Sequence, residues 1–395
     1  MPDAVIVSAC RTAIGTSFKG SLVDTDATVL AGAVVRESLD RTGIPAADID
    51  NLILAESLYG GGVLARYVAV EAGLATVPGV AMNRHCASGL AAIETAAGSI
   101  MAGMDQAVIA GGVHSMSTAP TATKRTLGTA DYVPWMSPSH PETPDAPAFD
   151  MSITVGWNTA KIVGISREEM DAWALRSHER AIAAIDEGRF TQEIVPIKVT
   201  TADGSAVVFE VDEHPRRGSS MEKLASLKPL HPEIEGFSVT AGNASGINDA
   251  ASALVLTSDA FAASRQLTPL ATVRSWASVG VDPYETGMAP TIAIPKALSR
   301  AGLTVADVDL WEINEAFASV PVAACKVLDI DPAVVNISGS GCSLGHPIAA
   351  TGARMVTTLI NDLARRGGGI GVASMCAGGG MGSALVIEVP AAGRS

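Results

Sequence analysis

The sequence predicts an α/β chain built from two similar halves, and three observations carry that expectation. Apolar extended segments alternate with helical periodicity along most of its 395 residues. The stretch Gly43-Ile44-Pro45-Ala46-Ala47-Asp48-Ile49-Asp50-Asn51-Leu52-Ile53-Leu54-Ala55-Glu56 recurs as Gly302-Leu303-Thr304-Val305-Ala306-Asp307-Val308-Asp309-Leu310-Trp311-Glu312-Ile313-Asn314-Glu315, with Gly, Asp, Asp and Glu in step. The order of elements after each copy also repeats. It is a short helix, a turn holding Pro78 or Pro332, an extended segment, a Gly-rich turn, a small-residue helix (87–103 and 349–365) and a strand ending in Gly-Gly. Chance similarity of two helix–turn–strand units would not repeat that sequel. Such alternation implies largely parallel sheets covered by helices. Ligands then gather at strand carboxyl ends and helix N-termini.

Composition narrows the classes. A chain of this length exceeds what one core organises, so two or more domains are expected. It is 48% hydrophobic and 17% charged with 39 glycines, which describes a folded, turn-rich enzyme-like chain and not a disordered one. A net charge of −14 argues against binding nucleic acid or an anionic membrane. The five cysteines, Cys10, Cys86, Cys325, Cys342 and Cys376, show no paired spacing and no C-x-x-C metal signature, as in a reduced intracellular protein. Met1-Pro2-Asp3 runs straight into Ala4-Val5-Ile6-Val7 without a basic leader, no apolar stretch is long enough to span a bilayer, and the final Ala-Gly-Arg-Ser resembles no address signal. A cytoplasmic protein is expected.

Taken in order, Val5–Ser8 reads as a strand and Asp26 to Leu39 as a helix with Ala27, Leu30, Val34 and Leu39 on its buried face. In Asn83-Arg84-His85-Cys86-Ala87-Ser88-Gly89-Leu90 a cysteine stands where an extended segment stops and a helix begins. Leu90, Ile93, Ala97 and Ile100 or Met101 share a face of that helix. A helix N-terminus favours thiolate over thiol, and the thiolate is the nucleophile. A buried structural cysteine is the alternative reading. Thr118 to Ala148, rich in Pro, Thr and Ser, reads as an irregular excursion. Ser166-Arg167-Glu168-Glu169 is a capping box opening an amphipathic helix through Met170, Trp173, Ala174, Ala181 and Ile185 to Gly188. Glu193–Val199 and Ala206–Val211 alternate like a hairpin, and His214-Pro215-Arg216-Arg217-Gly218 with Lys223 forms a basic island. That island is either a solvated loop or a phosphate clamp. Thr240 to Asp249, dense in Gly and Ser, permits close approach of a ligand or is a plain turn.

Three further stretches carry chemistry. Asn314-Glu315-Ala316-Phe317 puts a polar pair at a strand end. Gly345-His346-Pro347 places a histidine just before a proline that could open the next helix at its first position. Ser374-Met375-Cys376-Ala377-Gly378-Gly379-Gly380 places a thiol ahead of glycines whose N–H groups can face a ligand. His346 is the candidate base for Cys86, and Cys376 a second thiol able to move a proton at carbon. Each has a bland reading alone, but all fall at carboxyl-end positions of a duplicated sheet.

With these residues in hand, the sequence resembles the thiolases over essentially its full length. The matching blocks are those around Cys86, His214-Pro215-Arg216, Gly242-Asn243-Ala244-Ser245-Gly246, Gly287-Met288 ahead of Pro290, Asn-Glu-Ala-Phe, Gly-His-Pro and Cys376 to Gly380, in family order. The resemblance implies a five-layered αβαβα fold whose halves, 1–118 plus 241–264 and 265–395, flank a loop domain, 119–240. It implies a ping-pong exchange on coenzyme A thioesters, with coenzyme A as co-substrate and no permanently bound cofactor or metal. Cys86 would carry the acyl group, His346 accept its proton and Cys376 protonate the departing enolate. His346 and a water on Asn314 would serve the enolate oxygen, and the N–H groups of Cys86 and Gly378 the acyl-enzyme oxyanion. Arg216, Ser245 and Gly242 would contact coenzyme A, and Met151, Met288, Ala316 and Phe317 its tunnel. A homodimer or homotetramer is implied.

Four features depart from the family pattern: Ala349 for a Gly, Cys342-Ser343 for a more apolar pair, Asp150 for a His of biosynthetic members, and a loop from Thr121 to Ala148 without the usual basic, Gly-rich character. None is one of the acid–base groups. A ketoacyl-synthase-like condensing enzyme is the alternative on this fold, and Cys376 argues against it. A thiolase-like binding protein without turnover predicts loss of one of Cys86, Asn314, His346 and Cys376, and all four are present. A dinucleotide-binding protein is not indicated, because no G-x-G-x-x-G follows the first strand.

Overall fold

The computed structural model describes residues 2–57, 63–201 and 204–391. The terminal Ala-Gly-Arg-Ser lies outside the described residues. The first half runs β1 (Ala4–Arg11), β2 (Gly15–Thr16), α1 (Ala27–Asp40), β3 (Asn51–Ala55), α2 (Leu64–Glu71), β4 (Gly79–Met82), α3 (Ser88–Met101) and β5 (Ala107–His114). An excursion follows with β6 (Thr123–Arg125), β7 (Tyr132–Pro134), a π-helical turn over Ser152–Trp157, α4 (Asn158–Val163), α5 (Arg167–Asp186), β8 (Ile197–Thr200), β9 (Ala206–Phe209) and α6 (Met221–Ala225). The rest comprises β10 (Asn248–Ser258), α7 (Asp259–Ser264), β11 (Ala271–Gly280), α8 (Pro290–Ala301), β12 (Leu310–Ile313), α9 (Ser319–Leu328), α10 (Ile348–Arg365), β13 (Gly369–Ala377) and β14 (Met381–Val389).

The strand order makes the duplication visible. One half reads β4-β3-β5-β10-β1 and the other β12-β13-β14-β11, joined where Val5 and Ile6 pair with Thr272 and Ala271. Val335, bridged to Trp311, holds the place of β4 in the second half. Helices α3 and α10 lie between the two sheets, burying Leu90, Ile93, Ala97, Ile100, Val356 and Leu359 in one shared core. Helix α1 covers the outer face of the first sheet, and α8 and α9 that of the second. Five layers result.

The expectation of largely parallel sheets is corrected. Among the described strand pairs, only β3–β4, β3–β5 and β12–β13 are parallel. The pairs β5–β10, β1–β10, β13–β14, β11–β14 and β1–β11 are antiparallel. Residues 378–380 are too short a link for a crossover, so β14 must fold back on β13 as a hairpin. Strand β10 takes the matching place in the first half after the long excursion.

Local signals explain several boundaries. Asp26 caps α1 by accepting from the Thr28 N–H, and the capping box at Ser166 forms with Glu169. Pro347 stands one residue outside α10, at its N-cap rather than at the first helical position. The stretch from Thr118 to Ala148 is not wholly irregular, since β6 and β7 pair as a small hairpin there. Helices α3 and α10 cross closely because both carry glycine at the contact. A Cβ on Gly89 would stand 2.8 Å from Ala353 N and 2.9 Å from Ala349 O. A Cβ on Gly352 would collide with Leu90 N. That crossing brings the two helix starts, and Cys86 and His346 with them, to one end of the central layer.

Candidate functional site

Cys86 precedes α3 by two residues, in a turn whose N–H groups are already engaged. The Ala87 N–H donates to Arg84 O at 3.1 Å and the Ser88 N–H to His85 O at 3.1 Å. Burial pushes the Cys86 thiol up, and the backbone N–H groups of Gly378 and of Cys86 itself oppose this only in part. The expected thiolate from a helix N-terminus is therefore corrected. Desolvation outweighs the dipole, so the resting side chain is a thiol that needs a base.

His346 is fixed from both sides. Its backbone N–H donates to Asn248 Oδ1 at 3.0 Å. Thr351 donates its hydroxyl to Pro347 O at 2.9 Å, so the same oxygen accepts from the His346 ring at Nδ1, 2.7 Å away. This places the proton on Nδ1 and leaves Nε2 as a lone-pair acceptor. Burial, and then the nearby His114 and Arg354, lower His346 to about 3. It is a neutral base.

Asn314 continues from β12, its N–H donating to Ser374 O at 2.9 Å. Its Nδ2 lies 3.5 Å from both ring nitrogens of His346, and its Oδ1 has no partner among the described residues. The neighbouring Glu315 is structural. Its carboxyl accepts from Trp173 Nε1 at 2.9 Å, Asn336 Nδ2 at 2.7 Å, Ser177 Oγ at 2.6 Å and the Cys342 N–H at 3.0 Å.

Cys376 is the penultimate residue of β13, inside the strand rather than past it. It is buried with Val155 and Val320, and Met151 and Phe317 pack on that cluster. Burial and then the neighbouring Cys86 raise its thiol far above the usual range. It is a protonated thiol. Phe317 lies against Gly156 of the π-helical turn, where a Cβ would stand 2.8 Å from its ring. Asp150 caps that turn, accepting from the Ser152 N–H at 3.0 Å, and pairs with His231 at 2.8 Å.

The other expected residues divide. The Ser245 N–H donates to Ala316 O at 2.9 Å, which stitches the Gly/Ser segment to the Asn-Glu-Ala-Phe block. The basic island is no bare loop. His214, Arg216, Arg217 and Lys223 line a cleft together with Gly242 and Cys342. Met288 packs with Trp157 against the outer core around α8 and α9, outside the cluster of Met151, Phe317 and Cys376.

Five polar groups at or beside the site were not singled out from sequence. Thr351, in the first turn after Pro347 and bonded back to its carbonyl, is the partner of the His346 ring. Asn248 and the buried His114 announce themselves by no motif. Ser139 and His140 come from the excursion, where nothing marked a site: a Cβ on Gly378 would stand 3.7 Å from Ser139 Cβ, 3.7 Å from Met151 Sδ and 3.9 Å from His85 Cγ.

Comparison with known proteins gives the family. The chain matches the family models "Thiolase, N-terminal domain" over residues 4–260 and "Thiolase, C-terminal domain" over residues 267–389. It is 43% identical to an acetyl-CoA acetyltransferase of Escherichia coli (strain K12), covering 98% of this chain and 99% of that protein. It is 41% identical to beta-ketothiolase BktB of Cupriavidus necator, with coverage of 98% and 99%. The crystal structure of the Bacillus anthracis acetyl-CoA acetyltransferase superposes with a TM-score of 0.89 at 40% identity, covering 98% of this chain and 99% of that one.

Proposed function

The chain belongs to the thiolase family and is an acyltransferase, and from that premise we propose that it cleaves a 3-ketoacyl-CoA with coenzyme A, or condenses acetyl-CoA in reverse, through an acyl-enzyme on Cys86. What supports this reading is that the α3–α10 crossing brings the starts of both helices, which follow Cys86 and His346, to one end of the central layer, where Cys376 and the Gly378 N–H lie near Cys86.

In the thiolytic direction Nε2 of His346 takes the Cys86 proton, and the sulfur attacks the 3-keto carbon. The alkoxide that forms collapses, the bond between C2 and C3 breaks, and the electron pair passes into the acetyl-CoA enolate. Cys376 gives its proton to that carbon and becomes a thiolate. Coenzyme A then brings a thiol whose proton goes to the Cys376 thiolate, and its sulfur takes the acyl group as Cys86 leaves and recovers its own proton from His346. The N–H groups facing the Cys86 sulfur are those of Cys86 and Gly378, which suits them to the acyl-enzyme oxyanion. His346 with Asn314 would serve the enolate oxygen. A high thiol pKa suits Cys376 to giving up a proton only to a strongly basic carbon.

Arg216, Gly242 and Ser245 would receive coenzyme A, whose phosphates match the basic cleft. Met151, Ala316, Phe317 and Met288 would border the pantetheine tunnel. The remaining parts of the reading are a loop domain over 119–240 between halves 1–118 plus 241–264 and 265–395, coenzyme A as co-substrate without a resident cofactor, a cytoplasmic homodimer or homotetramer, and work in fatty-acid or lipid metabolism such as β-oxidation. No described helix is long and apolar enough to cross a membrane.

Intact-mass spectrometry after mixing with acetoacetyl-CoA tests the core of this. The wild type gains an acetyl group and Cys86→Ala does not. An unmodified wild type, or an acetylated Cys86→Ala, overturns the assignment.

A further inference from the structure

The exchange on Cys86 leaves one polar side chain of the cleft without a task. His85 holds a left-handed backbone at φ 47°, which few residues other than Gly, Asn, Asp and His adopt. The turn around it maintains this conformation. The His85 N–H donates to Asn83 Oδ1 at 2.9 Å, and its carbonyl accepts from the Ser88 hydroxyl at 2.5 Å and the Ser88 N–H at 3.1 Å. The ring is thereby turned toward Gly378, beside Ser139 and Met151.

The two polar neighbours on that wall are already committed. Ser139 Oγ lies 2.8 Å from His140 Nδ1, and His140 Nε2 lies 2.9 Å from the Ala146 carbonyl. The carbonyl can only accept, so Nε2 carries the proton and Nδ1 accepts from the Ser139 hydroxyl. His85 has no such satisfaction. Its half-buried ring has no hydrogen-bond partner among the described residues. Burial and then the nearby His140 lower it, so it is a neutral ring with one N–H to give. An acyl group on Cys86 with its carbonyl oxygen toward the Gly378 N–H starts its chain beside this ring. A plain alkyl chain there would cover an unpaired donor, which costs free energy.

We propose that His85 is a specificity-determining residue that donates a hydrogen bond to an oxygen function on the acyl chain beyond C3, so that the preferred substrate is an oxygenated 3-ketoacyl-CoA. The proposal rests on the thiolase reading and adds the substrate class to it. The shared chemistry is an acceptor oxygen, and its source is a carboxylate, a hydroxyl or a further keto group.

The test measures kcat/KM for thiolysis of chain-length-matched 3-ketoacyl-CoA sets, each with a plain alkyl, a carboxylate-ended, a hydroxyl-bearing and a keto-bearing member. The wild type is expected to favour at least one oxygenated member over the alkyl one by about tenfold or more. The favoured member identifies the oxygen source. In His85→Leu that ratio falls toward one, while His85→Asn, which tolerates the left-handed backbone and keeps a donor, retains part of it. Using a ratio within each variant cancels any general loss of activity. Equal or better use of the alkyl members by the wild type overturns the proposal, as does an unchanged ratio in His85→Leu. The wild-type ratio alone decides the matter if a variant does not fold. Wild-type cleavage across all members of the sets separates the two readings: its absence on every member sinks the proposed activity, and its presence without oxygen preference sinks only this one.

Discussion

The two halves share a scaffold but not a chemistry. Where the first half leaves β3 through Ala55-Glu56, the second follows β12 with the matching Asn314-Glu315. The glutamates do comparable work as anchors. Glu56 Oε2 accepts from the Leu64 N–H at 2.8 Å, and Glu315 gathers its four donors. The preceding residue differs, a methyl in one half and an amide against His346 in the other. The helices of the middle layer differ likewise, with Cys86 ahead of α3 and His346 ahead of α10. Duplication supplied two equivalent places near one point. Activity requires that they be filled differently.

The most damaging change to that asymmetry is His346→Ala. On the proposed roles it removes the base and an oxyanion contact together, and thiolysis of acetoacetyl-CoA should fall about 10³- to 10⁴-fold in kcat. The wild-type profile carries a second check. His346 is lowered to about 3, so it is a neutral, competent base above that and is lost only as pH falls through it. The acylation rate should therefore show no loss from imidazole protonation between about pH 7.5 and about 5.5, the range where an ordinary histidine titrates. A limb in that window that disappears in the variant breaks the account.

Asn314→Ala makes the second half resemble the first. A drop of about 10²-fold in kcat with little change in KM is expected, since the amide serves charge that develops during reaction. A change confined to KM would make it a binding residue instead. Thr351→Val frees the imidazole from its tautomer lock and should cost about tenfold in kcat, part of what general-base catalysis supplies, with Thr351→Ser restoring most of it. An equal loss in the serine variant would point to packing.

The smallest effect separates the two glutamates by stability alone. Glu315→Gln leaves at least one of four donors facing another donor, and should lower unfolding free energy by about 1–3 kcal/mol in denaturant titrations. Glu56→Gln should cost less but change the pH dependence. Burial pushes the Glu56 carboxyl up to about 7 despite the Leu64 and Ala65 N–H groups, so the folded state binds its proton more tightly than the unfolded one. Stability is then lost as pH rises from about 4.5 to about 7. Glu312, raised to about 8 by burial against the pull of Arg354, adds a slope of the same sign. Glu56→Gln should shrink the slope without abolishing it, and an unchanged slope would remove Glu56 from the explanation.

Much of this was legible in the residues. Helical periodicity located α1, α3, α5 and α10, and the Gly-Asp-Asp-Glu repeat announced the two sheets before any strand was paired. The catalytic candidates were visible because each sits in a short, ordered motif. Strand direction was not, because alternation of apolar residues carries no arrow and β10 arrives only after the long excursion. The protonation of Cys86 was also hidden. A helix start is local and readable, whereas the burial that overrides it is made only when the chain has folded around Cys86. His85 escaped for a similar reason, since nothing in Arg84-His85-Cys86 signals a left-handed residue.

The separation of Cys86 from its partners has a consequence during synthesis. Strand β1 finds its neighbour only when residues near 258 emerge, and Cys376 follows Cys86 by about 290 positions. At roughly 5–20 residues per second on the ribosome, the proposed nucleophile spends about 15–60 s in a nascent chain that lacks its full set of partners. The newborn polypeptide is thus chemically quiet, and its first turnover must wait for the last strands.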